Sequence, residues 1–145
     1  MLDLGTAIGV AASAAQLADL AFAIVTNLHK YYRNVKYASA RCAELWKELD
    51  SLADVLTNVQ ERFEQNLEMI SHSTVPRELE NVRKLLNDLH KQTKPEEMVG
   101  TKKYAWPFKE KDIEDTFELI EHYKANLNTD LNVSQRCLSC ERWWG

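Results

Sequence analysis

The sequence predicts an all-α fold, a bundle of about four helices, and three observations carry that expectation. Apolar residues recur every three or four positions over long stretches, the period of a helix buried along one face. Breakers are scarce, with 4 Gly and 3 Pro in 145 residues, too few for a sheet that must turn often. No strand pattern competes with the helical period.

The first helical stretch runs from about Asp3 to Val35. Its opening half is small and apolar, with Gly5, Gly9 and Ser13 among alanines. Larger residues then follow at helical spacing: Leu17, Leu20, Ile24, Leu28, Tyr31 and Val35. The stretch ends on Lys30, Arg33 and Lys36, cations that suit the negative end of the helix dipole. The second stretch, about Ser39 to Ile70, carries the longest stripe, from Cys42 and Leu45 through Leu49, Leu52, Leu56 and Val59 to Phe63, Leu67 and Ile70. Such a stripe belongs on a long amphipathic helix packed on helical partners, and Ser39 is a suitable cap. Pro76 suits the first turn of a third helix that reaches Lys91, with Leu79, Val82, Leu86 and Leu89 in line. From Gln92 to Phe108 the pattern dissolves around Pro95, Gly100 and Pro107. A fourth stretch, about Lys109 to Leu131, places Ile113, Phe117, Ile120, Leu127 and Leu131 on one face. Residues 132–145 show no clear period and read as an irregular tail beyond a domain of residues 1–131. Four such helices must bury their stripes against one another, most simply with mostly antiparallel neighbours.

Composition narrows the function. The net charge of −4 and pI of about 5.6 argue against a nucleic-acid binder, which usually carries a basic balance. Three cysteines, Cys42, Cys137 and Cys140, do not make a disulfide framework, and a reducing, cytoplasmic setting is expected. The start lacks the basic segment of a secretory signal. The uncharged run from Leu4 to Ala18 falls short of the ~20 residues that span a bilayer, so no constitutive transmembrane helix is expected.

Catalysis finds no support. The four histidines lie on separate stretches, and neither a phosphate-binding loop nor an H-E-x-x-H motif is present. No enzyme activity and no cofactor are expected. Cys137 and Cys140 form a C-x-x-C, but a structural zinc needs four ligands and His122 is the one nearby candidate; no metal site is expected. Glu44 and Glu48, one helical turn apart, are expected to repel.

Two features of the first stretch invite function. Gly5, Gly9 and Ser13 recur every four residues, a spacing that lets helices pair closely in lipid. It serves equally well to seat the helix within its own bundle. Lys30, Arg33 and Lys36, interleaved with Tyr31, Tyr32 and Tyr37, suit an anionic lipid interface. They also suit a solvated helix end with tyrosines tucked into the core.

Several segments resemble fungal HeLo-like N-terminal domains. They are Gly9-Val-Ala-Ala-Ser-Ala-Ala-Gln-Leu-Ala-Asp-Leu20, Leu28-His-Lys-Tyr-Tyr-Arg-Asn-Val-Lys36 and Glu44-Leu-Trp-Lys-Glu-Leu49, followed by Trp106-Pro-Phe-Lys-Glu-Lys-Asp-Ile113 and Leu119-Ile-Glu-His-Tyr-Lys124. The likeness covers roughly residues 2–131. It implies the N-terminal module of a fungal NLR-like (STAND) protein, preceding a nucleotide-binding or repeat region. It also implies kinship with bundles that kill cells by attacking membranes, such as the mixed lineage kinase domain-like executioner. On that reading the domain is cytoplasmic at rest. Activation frees the first helix (Gly5, Gly9, Ser13, Leu17 and Leu20) from burial against the second and fourth stretches. The helix then self-associates and moves to anionic lipids of the plasma membrane, with Lys30, Arg33 and Lys36 at the headgroups. The other reading is a passive interaction or oligomerisation bundle that never opens.

Overall fold

The computed structural model describes residues 7–34, 40–65, 75–94 and 108–144, with side chains for 9–33, 40–65, 75–94 and 108–131. Four helices fill them: α1 (Ala7–Asn34), α2 (Ala40–Gln65), α3 (Val75–Gln92) and α4 (Glu110–Trp144). No strand occurs among the described residues, and the fold is the all-α bundle that the stripes require. The predicted cap Ser39, the stripe residues Val35, Leu67 and Ile70, and the breakers Pro95, Gly100 and Pro107 lie outside the described residues.

Each stripe faces inward. On α2, every stripe residue from Cys42 to Phe63 is buried, joined by Ala53 and Val55. On α3, Leu79, Val82, Leu86 and Leu89 are buried. Pro76 is the second helical residue, where its missing N–H costs no hydrogen bond. The far end of α3 closes on Thr93. Its amide and its hydroxyl both donate to the carbonyl of Leu89, at 2.9 and 2.8 Å, which satisfies a carbonyl otherwise left open at a helix end. On α4, Ile113, Ile120, Leu127 and Leu131 enter the core while Phe117 packs on its edge.

The last helix differs from expectation. It continues from Leu131 through Trp144, where an irregular tail was expected. The apolar stripe ends near Leu131, but no Gly or Pro interrupts residues 132–144, and a helix without breakers need not stop where its stripe does.

The helices occupy the corners of a square. α1 packs on α2 and α3, α4 packs on the same two, and α1 and α4 stand diagonally opposed. The expected neighbours of α1 were the second and fourth stretches; its second neighbour is α3. Directions follow from named contacts. The thiol of Cys42 at the start of α2 donates to the carbonyl of Leu28 near the end of α1, at 3.4 Å, so these two helices are antiparallel. Arg41 meets Glu110 and Glu114 while Lys124 meets Glu48, so α2 and α4 run parallel. The expected mostly antiparallel packing therefore holds for α1 with α2 and fails for α2 with α4. The reason is that α3 intervenes between them in the chain.

Candidate functional site

The residues singled out by sequence lie on α1, and the packing assigns them unequal roles. Gly9 and Ser13 are buried. The Ser13 hydroxyl accepts a hydrogen bond from Arg83 Nη2 of α3 at 2.8 Å. The small-residue face is thus in use within the bundle, with Ser13 turned to α3. Gly5, the third member of the repeat, lies outside the described residues. Leu17 is buried in the core, and Leu20 packs half-buried against it.

At the other end of α1, Lys30 and Arg33 are exposed; Lys36 and Tyr37 lie outside the described residues. The two described tyrosines divide between the two readings. Tyr31 is buried, and burial, aided by the nearby Cys42, pushes its hydroxyl above the ordinary tyrosine pKa. Tyr32 is 44% exposed and meets the Trp46 ring edge-on, 5.0 Å between centroids. His29 stacks on the same indole at 4.2 Å. Trp46 therefore organises an aromatic cluster across α1 and α2 beside the two cations. Sequence reading did not single it out, because the meeting of His29, Tyr32 and Trp46 depends on the register between two helices. Cys42 lies beneath, its thiol pushed up to about 12 by burial. It behaves as a small apolar residue rather than a nucleophile.

The opposite seam is polar. Arg41 bridges to Glu44 at 2.8 Å and to Glu110 and Glu114 of α4, and its guanidinium lies 5.7 Å from the Phe117 ring. Hydrogen bonding, first to Glu110 and then to Glu44, raises its pKa further. One heptad on, Lys124 lies 3.4 Å from Glu48 and 3.0 Å from Glu121. The expected repulsion of Glu44 and Glu48 is thereby relieved, since each has its own cation. Burial raises the pKa of Glu48, while hydrogen bonds to Glu48 and then to Lys124 lower that of Glu121.

No group of three or more His, Cys, Asp or Glu able to hold a metal occurs among the described residues. The side chains of Cys137 and Cys140 lie outside the described set. The helix that carries them places His122 15 residues before Cys137, about 22 Å along the axis at ~1.5 Å per residue. That one candidate ligand is therefore out of reach.

Between residues 4 and 29, Asp19 is the one Asp, Glu, Lys or Arg. The stretch Gly9–Arg33 is long and apolar enough to cross a membrane by length and composition, yet 56% of its apolar window is buried in the bundle. A count that stops at Asp19 finds too short a run, which is why the sequence reading expected no such helix. A core helix meets the same criterion. No curated protein and no solved structure matches the chain. Residues 5–135 match the family described as "Pigment biosynthesis cluster protein PigL N-terminal", and the chain belongs to that family of fungal N-terminal helical domains.

Proposed function

We propose that this domain is a non-catalytic signalling and effector module at the N-terminal end of a fungal NLR-like (STAND) protein, acting in regulated cell death through α1. The observation that carries this reading is the position of α1. A helix apolar enough for a bilayer forms one corner of the bundle and ends in the exposed cations Lys30 and Arg33. Release would move its buried face from the bundle to lipid, another apolar environment, while the faces that α2 and α3 turn towards it would need a new cover, which self-association or lipid can supply. Each cation near an anionic surface adds about 1 kcal/mol. The likeness to HeLo-like domains supports the cell-death context and the move from cytoplasm to plasma membrane.

Truncating α1 is a poor test, because residues 1–16 include the buried Val10, Ala11, Ser13 and Ala14 and their loss would unfold the bundle. The double variant Lys30→Glu, Arg33→Glu changes exposed positions alone. Vesicles of phosphatidylserine and phosphatidylcholine should leak dye with the unmodified chain more than vesicles of phosphatidylcholine. The double variant should lose that preference. Expression in fungal cells should arrest growth, and the variant should do so less. A chain that leaves both vesicle types intact and cells growing normally would return the domain to the passive-module reading.

A further inference from the structure

We infer that the solvent face of α1 is a self-association surface, on which a second copy of this chain docks with its own α1 antiparallel. The face is distinct from that of Gly9 and Ser13, which are buried within the bundle, Ser13 against Arg83 of α3. Its centre holds Phe22, 45% exposed and the most exposed large apolar side chain among the described residues. Around it lie Asp19, Ala23 and Thr26, all exposed. The Thr26 hydroxyl donates to the carbonyl of Phe22 at 2.9 Å. With its hydrogen satisfied within the helix, the side chain can offer its methyl group outward. Apart from Asp19, the face carries no formal charge until Lys30 and Arg33, which is unusual for a solvated helix face.

The charges identify the occupant. Asp19 lies seven residues before Thr26, and Arg33 lies seven residues after it. Two copies of α1 related by a twofold axis through Thr26 therefore place Asp19 of each at the height of Arg33 of the other. The same operation places Phe22 at the height of Lys30, four residues to either side of Thr26, so that the ring and the cation share one level of the seam. A surface acidic at one end, basic at the other and apolar between is complementary to itself reversed. That is the requirement for a twofold contact. A parallel pair would instead stack like charges. One helix against one helix buries less than the ~800 Å² per partner of a tight complex, so the association is weak and reversible. The contact also covers Lys30 and Arg33, but it does not depend on any membrane activity.

The test uses the 145-residue chain in lipid-free buffer, by sedimentation equilibrium over a concentration series. Helix content is checked for each variant by circular dichroism. The unmodified chain should dimerise reversibly. Asp19→Arg and Arg33→Asp should each weaken dimerisation about tenfold or more, because each creates two like-charge contacts. An equimolar mixture of the two variants should regain association, since both contacts of the mixed pair then join opposite charges again, one of them with its signs exchanged. A chain that stays monomeric at millimolar concentration overturns the inference. So does a dimer that ignores both reversals, or variants that fail to recover on mixing. Vesicle leakage is read separately, so either proposal can fail while the other stands.

Discussion

α1 and α4 stand at opposite corners of the same bundle and meet water in opposite ways. α1 is buried through small and branched apolar side chains, from Val10 and Ala14 to Ile24 and Leu28, and its outer face is nearly uncharged. α4 buries a thinner stripe, flanked on the α2 side by Glu110, Glu114 and Glu121, which Arg41 and Lys124 hold. Apolar burial is non-directional and transfers readily to any other apolar surroundings. Ion pairs are directional and tie a helix to one register. α1 therefore makes the broader, apolar contact with the bundle and α4 the narrower one, edged by surface ion pairs.

The largest effects should come from the apolar seam of α1 with α2. Ile24→Ala or Leu56→Ala, both at fully buried positions, should cost about 2–5 kcal/mol each, read as a fall in the denaturation midpoint. A loss below about 1 kcal/mol at both, under the usual range for such truncations, would mean that the seam is loosely packed and the contrast with α4 is overstated.

Overfilling the buried small-residue face of α1 comes next. Gly9→Leu should destabilise by about 1–3 kcal/mol through strain. Ser13→Ala, which removes the acceptor from Arg83, should cost about 1 kcal/mol. If the membrane reading is right, Gly9→Leu should also increase vesicle leakage while lowering stability, because it loosens α1 from the bundle.

The buried thiol sharpens the comparison through pH. The Cys42 thiol rises from an ordinary value of 9.0 to about 12 in the folded chain. Its protonated form is therefore favoured by folding. The stability this provides is complete below about pH 9 and is lost as pH rises from there towards about 12. Native Cys42 should resist alkylation at about pH 8, where it is fully protonated, and Cys42→Ala should flatten the alkaline part of the stability profile. Rapid labelling at Cys42 itself, in a folded chain carrying Cys137→Ser and Cys140→Ser, would show that α1 and α2 already separate at rest.

The smallest effects belong to α4. Glu48, with a raised pKa, stabilises the fold most below its unfolded value and loses that contribution as pH rises through the folded one. Glu121, with a lowered pKa, contributes above its unfolded value and loses that as pH falls. The two slopes oppose each other, so stability should vary little around pH 4–5, the ordinary carboxyl range, on account of this pair. Glu121→Gln should unmask the Glu48 slope, making the protein gain stability on mild acidification. An unchanged profile would mean that the two carboxyls do not sense each other.

The helices and their inward faces are legible in the order of amino acids. A period of three to four is a local property, and the described stripe residues of α2 and α3 lie in the core residue for residue. That order also marks α1 as unusual, since the scarcity of charge before Lys30 is visible along the chain. Tertiary structure alone decided which helices are neighbours. Periodicity gives each helix a face but does not say which face it meets, so α3 rather than α4 is the second partner of α1. The same reason explains why Gly9 and Ser13 are covered, why Trp46 gathers His29 and Tyr32, and why Glu44 and Glu48 escape mutual repulsion. Ser13 with Arg83, Trp46 with His29 and Tyr32, and Glu48 with Lys124 each depend on a side chain from another helix, placed there by packing of the whole bundle; Glu44 has its cation, Arg41, on its own helix. The end of α4 escapes the sequence for the converse reason: a helix without breakers can continue past its buried stripe, and burial pattern alone does not mark where it stops.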